Sequence, residues 1–151
     1  MAKESIRRKN CWLDLIVGTF TLLLPVLLSV SASAKHSENF FQKRLCAGME
    51  QERWLSRAKA RVDCVNDTHA IEVEFARKYK QAIGQALLYA SEMDLKPGVI
   101  LVCVKEDGNC LRYGLLAEKT LARWHINSTV WKCGPVSLAL ADCLRVEITG
   151  N

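Results

Sequence analysis

The sequence predicts a single-domain α/β protein in which helices flank a mixed β-sheet. Short runs with alternating apolar and polar residues, typical of strands, come before an amphipathic helix. A continuous apolar run, typical of a buried central strand, comes after that helix. The expected order of elements is α-β-β-β-α-β-α-β, with antiparallel strands first and a crossover helix later.

The first 34 residues have the composition of an export signal, and we exclude them from the fold. A basic start precedes an apolar run from Ile16 to Val30, which is too short to cross a bilayer as a helix. Ala32-Ser33-Ala34 matches a signal-peptidase site. We expect cleavage after Ala34, a periplasmic or secreted protein, and no membrane span afterwards; an uncleaved membrane anchor is the alternative.

Cleavage would leave 117 residues (151 minus 34), enough for one compact domain. We assign 35–133 to this domain and 134–151 to a C-terminal extension of unknown role. The mature part carries 17 Lys and Arg against 14 Asp and Glu, a net charge of +3. This bias is too small to indicate nucleic-acid binding by itself.

The N-terminal half of the domain reads as one helix, three strands and a second helix. Apolar side chains at helical spacing predict the helices, period-two alternation predicts the strands, and polar turns at Ser56 to Lys59 and Asn66-Asp67 separate the strands. The predicted bounds are 36–49 for the first helix, 52–55, 60–65 and 69–75 for the strands, and 79–93 for the second helix.

The C-terminal half begins with a break at Pro97-Gly98 and continues with the buried strand, 99–104. A turn at Glu106 to Asn109 leads into a helix over 111–124, and a closing strand spans 126–131. The helix is expected to pack through its leucines, which are Leu111, Leu115, Leu116 and Leu121. Residues 134–151 hold another apolar run, to which the sequence assigns no element.

Six cysteines remain after cleavage, and an even number in an exported chain favours disulfide bonds. Cys46 with Cys64 would clamp the first helix to a strand, and the other two pairs, Cys103 with Cys110 and Cys133 with Cys143, would close short loops. Six cysteines allow fifteen connectivities, and buried free thiols are the alternative. No Cys-x-x-Cys pair occurs, which argues against a zinc ribbon or a thioredoxin-type site.

Three acidic residues fall on neighbouring predicted strands. Asp63 lies on one alternating run, and Glu72 and Glu74 lie on the next. Residues i and i+2 of a strand share a face, so the two glutamates lie together while their apolar neighbours point into the core. We expect the carboxylates at a solvent-facing strand edge.

These residues, with the helix that follows, resemble the active-site core of the PD-(D/E)XK nuclease superfamily over about residues 40 to 132. The family pattern is an Asp, an acid-x-Lys and, in RecB-like members, a helical Gln-x-x-x-Tyr, which match Asp63, Glu72 and the pair Gln85 and Tyr89. Glu74 stands where the family has lysine, and Lys78 follows four residues later, as in members whose lysine has migrated. The resemblance implies a restriction-endonuclease-like fold.

The same resemblance implies metal-dependent hydrolysis of phosphodiester bonds in nucleic acid, with DNA as the expected substrate. Asp63 and Glu72 would hold Mg²⁺ or Mn²⁺, a hard ion that prefers oxygen ligands, and the ion would activate a water. Lys78 would orient that water or neutralise charge in the transition state. Gln85 and Tyr89, at i and i+4 of one helix face, would contact the nucleic-acid backbone or order the metal shell.

Several alternatives remain at this point. Glu74 is either a third ligand or the partner of Arg77 or Lys78 in a salt bridge, and Glu52 could add an outer ligand. His69 and His125 lack partners at metal-ligand spacing, so we expect both to be structural. The whole chain could also be a degenerate nuclease fold that binds nucleic acid or a protein, or a disulfide-stapled envelope protein without nucleic acid.

Overall fold

The computed structural model describes residues 36–104 and 108–150. The predicted export signal and its cleavage site lie outside these residues. The described part contains three α-helices, α1 (Glu38–Leu45), α2 (Tyr79–Met93) and α3 (Cys110–Arg123), and two short 3-10 helices at Ala76–Lys78 and Leu140–Asp142. It also contains six strands, β1 (Glu50–Leu55), β2 (Ala60–Val65), β3 (His69–Phe75), β4 (Lys96–Val102), β5 (Ser128–Cys133) and β6 (Leu144–Ile148).

The six strands form one mixed sheet whose spatial order is the order of the chain. The first three strands are antiparallel, β3, β4 and β5 are parallel, and β6 returns antiparallel to β5. Helices α2 and α3 supply the crossovers that parallel neighbours require. The predicted α/β class, with a mixed sheet flanked by helices, is therefore confirmed.

Strand β6 is the main addition to the predicted order. It arises from residues 134–151, for which the sequence predicted only an extension of unknown role, and it pairs with β5 from Ser128↔Ile148 to Lys132↔Leu144. Only Ile148 of this strand is buried, so its alternation is too short and too exposed to stand out in the sequence.

Two apolar layers cover the two faces of the sheet. On one face, Phe41 and Leu45 of α1 pack against Ile71, Val73 and their neighbours. On the other face, alanines of α2 and residues of α3 pack against the alternate side chains of β4 and β5. Strand β4 is buried on both faces, which explains its continuous apolar run.

The predicted break at Pro97-Gly98 is wrong, because both residues belong to β4. Pro97 lies at the start of the strand, where a missing N–H is tolerated. A Cβ atom at Gly98 would lie 2.8 Å from Cγ1 of Ile71 and 3.0 Å from a ring carbon of Trp131. The glycine therefore permits close packing by the neighbouring strands and does not mark a turn.

The predicted packing of α3 is also wrong in part, since Leu111 and Leu115 are exposed. The helix packs instead through Gly114, Ala117 and Leu121. The aliphatic part of the Lys132 side chain packs against this face of the helix. A Cβ atom on Gly114 would lie 2.5 Å from Cδ of that lysine, so a small residue is required there. No helix within 36–104 or 108–150 is both long enough and apolar enough to cross a membrane.

The three expected disulfide bonds are all present. The Cα atoms of Cys46 and Cys64 are 5.7 Å apart, and the other two pairs, Cys103 with Cys110 and Cys133 with Cys143, have Cα distances of 5.5 and 4.5 Å. The Cys46–Cys64 bond joins the end of α1 to β2 at the residue after Asp63. Three disulfides fit a protein that folds in an oxidising, extracellular compartment.

Candidate active site where β2 and β3 separate

The candidate site forms where the hydrogen-bond ladder between β2 and β3 ends. The two strands pair at Cys64↔Ile71 and Val65↔Ala70, and one further step would place Asp63 opposite Glu72. Instead, Oδ2 of Asp63 accepts a hydrogen bond of 2.8 Å from the backbone N–H of Val73. The Asp63 carboxylate thus takes the position of a backbone acceptor and is held between the two strands.

Both glutamates of β3 are buried, contrary to the expectation of a solvent-facing edge. Glu72 is 4% exposed and Glu74 is 1% exposed. The reason is topological, since β3 is an interior strand with β2 on one side and β4 on the other, and α2 packs over it. Glu72 and Glu74 alternate with apolar residues as expected, but neighbouring elements cover this strand and shield both carboxylates from solvent.

Glu74 is paired with a lysine. Nζ of Lys78 lies 2.9 Å from each carboxylate oxygen of Glu74 and 3.3 Å from Oε2 of Glu38 on α1. Oε1 of Glu74 also accepts the N–H of Phe75 at 2.9 Å. The hydrogen bond that Lys78 donates to Glu74 raises the pKa of Lys78. The structure thus places Glu74 in the salt bridge that was one of the two alternatives for this residue.

Glu72 and Asp63 have a different environment. Among the ion pairs formed by the described residues, none includes either carboxylate. Burial raises the pKa of Glu72 to about 9, and the charges of Asp63 and the other nearby acids add to this effect. Burial also raises the pKa of Asp63 to about 6, although the Val73 N–H opposes the shift. One oxygen of Glu72, Oε2, is buried without a hydrogen-bond partner in the described part.

The helical Gln-x-x-x-Tyr pair reaches this site from α2. Nε2 of Gln85 lies 3.2 Å from the hydroxyl oxygen of Tyr89, which is buried. Burial raises the pKa of Tyr89, and the charges of Glu72 and Asp63 raise it further. The structure therefore brings Tyr89 close to both predicted ligands. Oε1 of Gln85 is a second buried oxygen without a partner within the described ranges.

Helix α1 contributes two residues that the sequence analysis missed. Burial raises the pKa of Glu38 to about 7, and its contact with Glu74 raises it further. Nε2 of the buried Gln42 donates to Oε1 of Glu52 and, at 3.2 Å, to the backbone oxygen of Asp63. Glu52 reaches this contact with a left-handed backbone, φ 57°, inside β1. The signal in the sequence was the i, i+4 spacing of Glu38 and Gln42, with Phe40 and Phe41 between them.

We refer to Glu38, Glu52, Asp63, Glu72 and Glu74 as the acidic site, since their charges act on one another. The described residues contain no group of three or more His, Cys, Asp or Glu side chains arranged to hold a metal ion. Mg²⁺ usually needs only one or two carboxylates, because waters and substrate phosphates complete its shell. Asp63 and Glu72, with its unpartnered oxygen, are a donor set that fits such an ion.

The two histidines are not part of the acidic site. His69 is buried at the other end of β3, where its two ring nitrogens lie 2.7 Å from Oγ1 of Thr68 and 2.8 Å from Oγ1 of Thr129. Burial lowers its pKa, as expected for a structural residue. His125 is an exposed residue with φ 53° after α3.

No protein-family model matches this sequence, and neither a curated protein nor a solved structure matches the chain.

Proposed function

We propose that the protein is an exported nuclease that hydrolyses phosphodiester bonds with Mg²⁺ or Mn²⁺. The observation that carries this proposal is the buried Glu72 carboxyl, which lies beside Asp63 with an unpartnered oxygen and outside every ion pair formed by the described residues. A buried acid in this state costs stability. Perturbed acids of this kind occur most often at functional sites, where a cation or substrate is bound.

Asp63 and Glu72 are the residues that would hold the ion. The N–H of Val73 fixes the Asp63 carboxylate, and Gln42 fixes the backbone of the same residue. A bound Mg²⁺ or Mn²⁺ would polarise the scissile phosphate and lower the pKa of a bound water. Glu72 must lose its proton to serve as a ligand, so its raised pKa predicts weaker metal binding at low pH.

Lys78, Gln85 and Tyr89 are the groups available to a substrate phosphate. The ammonium group of Lys78 is partly exposed and sits between Glu74 and Glu38. Lys78 would stabilise the negative charge that develops on phosphate during hydrolysis. The Gln85 amide and the Tyr89 hydroxyl would orient the scissile group from α2.

A second candidate is a catalytically degenerate protein that keeps the fold and binds nucleic acid or a protein partner. It is favoured by Glu74, which replaces the family lysine and engages Lys78 through both oxygens. A lysine held in this way is less available to a phosphate. The three disulfides support a periplasmic or secreted location for either function.

A divalent-metal titration distinguishes the two candidates. Plasmid and single-stranded DNA would be incubated with the exported protein and Mg²⁺, Mn²⁺ or Ca²⁺, and metal binding would be measured by calorimetry. We expect cleavage with Mg²⁺ or Mn²⁺ that is absent in Asp63→Asn and retained in Glu50→Gln, an exposed acid of β1 used as control. Absence of both cleavage and metal binding would refute the nuclease and favour the degenerate protein.

A further inference from the structure

The hairpin formed by β1 and β2 concentrates positive charge that the net charge of the chain conceals. The nine residues from Arg53 to Arg61 contain four cations and no acid. The four cations are Arg53, Arg57, Lys59 and Arg61. The mature part as a whole has a net charge of only +3, so this hairpin is a local basic patch.

Trp54 lies in the middle of this patch and is 59% exposed. It is directly opposite Arg61 in the β1–β2 register, so the two side chains share a face of the hairpin. An exposed aromatic ring beside a cation is a surface on which a base can stack while the cation contacts phosphate.

The hairpin is held firmly in this position. The carboxylate of Glu92 on α2 accepts the backbone N–H groups of Arg57 at 3.0 Å and Ala58 at 2.8 Å. Leu55, next to Trp54, is buried against α2 with Tyr89. The exposed ring is therefore presented by a fixed backbone.

A short chain of contacts joins the patch to the acidic site. Nη1 of Arg61 lies 3.7 Å from Oε2 of Glu52, and Glu52 accepts a hydrogen bond from Gln42. Gln42 in turn donates to the backbone oxygen of Asp63. A polymer that contacts Trp54 and Arg61 would thus lie beside Glu52, the member of the acidic site that is paired with Arg61.

We propose that Trp54 is a stacking platform for a base of single-stranded nucleic acid, with Arg61 on an adjoining phosphate. A base can stack on an aromatic ring only after it leaves its own duplex stack, so the platform selects unpaired strands. The ion pair of Arg61 with Glu52 is solvent-exposed and contributes little, so Arg61 can exchange it for phosphate. The inference rests on the proposed function and specifies its substrate class.

Binding is tested without cleavage, in EDTA and with Asp63→Asn protein. A short oligothymidylate and a hairpin duplex of equal length are titrated, and binding is read by fluorescence anisotropy of labelled nucleic acid and by tryptophan quenching. We expect the single strand to bind more tightly and to quench emission. Trp54→Ala should weaken this binding about tenfold, the usual effect of removing one stacked base.

Trp124→Ala is the matched control, because Trp124 is also exposed, at 73%, and follows an arginine. It should bind the single strand as tightly as the parent protein. Arg61→Gln should reduce the salt dependence of single-strand binding by about one phosphate contact.

The inference is overturned if Trp54→Ala binds like the parent, if both tryptophan variants lose affinity equally, or if the duplex binds as tightly as the single strand. Trp54-dependent binding without any metal-dependent cleavage would uphold the inference and reject the nuclease. If the metal-loaded wild type cleaves nucleic acid and Trp54→Ala binds like the parent, the nuclease is upheld and the stacking inference is rejected.

Discussion

The start and the middle of β3 hold buried polar residues in opposite states. At the start, His69 has both ring nitrogens within hydrogen-bond distance of threonine hydroxyls. Thr129 donates onward to Glu147, and Glu147 is paired with Lys96. In the middle of the strand, Glu72 keeps a buried oxygen without a partner in the described part, and its pKa is raised to about 9.

The difference shows that this fold can provide hydrogen-bond partners for a buried polar side chain, as it does for His69. A position of the same strand that stays unsatisfied is therefore a better candidate for binding than a defect of packing.

The strongest test of this comparison is to replace the residues at each position separately. Asp63→Ala or Glu72→Ala should lower metal-dependent cleavage by about a thousandfold or more while the protein stays folded, because the ion loses a ligand. Initial rates on single-stranded and plasmid DNA measure the loss, and circular dichroism checks the fold. A variant with near-normal turnover would remove that residue from the site.

The matched change at the satisfied position is His69→Ala. It removes two hydrogen bonds and leaves Thr129 without its histidine partner, so the free energy of unfolding should fall by about 1–3 kcal/mol. Cleavage per folded molecule should be unchanged. A selective loss of activity with normal urea denaturation would mean that His69 serves the site.

The next effect concerns the paired half of the acidic site. Lys78→Ala should reduce turnover about a hundredfold, since loss of transition-state charge stabilisation is commonly worth ~3 kcal/mol. Glu74→Ala should be milder, because Lys78 keeps Glu38 as a partner. Measurement of kcat for the two variants shows which substitution costs more activity. Equal losses would mean that Lys78 and Glu74 act as one unit.

Removal of the Cys46–Cys64 bond tests how far α1 supports the site. Cys46→Ala with Cys64→Ala should lower the free energy of unfolding by about 2–4 kcal/mol, the usual effect of such a loop. Because α1 carries Gln42 and Glu38, metal affinity should also fall. The equivalent Cys103 and Cys110 double variant is the control, and it should leave metal affinity unchanged. Unaltered metal binding in both would show that α1 positions nothing.

The smallest effect is the pH dependence of the metal-free protein. Glu72 has a folded pKa of about 9, above its unfolded value, so its contribution is complete at low pH and is lost as pH rises towards 9. Between pH 7 and pH 8.5, stability should fall by about 1 kcal/mol per pH unit. Glu72→Gln should flatten this slope in urea denaturation with EDTA. A wild type without slope would contradict the raised pKa.

The sequence predicted the elements around the site accurately because their patterns are local. The bounds of β2, β3 and α2 agree with the expected 60–65, 69–75 and 79–93, and all three disulfides were anticipated. Alternation, turn residues and short cysteine spacings need no knowledge of the rest of the chain.

The remaining features depend on tertiary contacts. The burial of Glu72 follows from β4 and α2 on its sides, and the requirement at Gly98 follows from Ile71 and Trp131. Gln42 acquires its role only when α1 lies beside β2. Such relations between distant segments leave no periodic signal in one sequence.

The order of the sheet has a consequence for how the chain folds. Every strand pairs with the strand next to it along the chain, so each strand can pair as soon as the next one is available. All residues of the acidic site and its helical pair lie between Glu38 and Tyr89, before β4 begins. A chain that emerges N-terminus first can therefore begin to assemble these residues while β5 and β6 are still unformed.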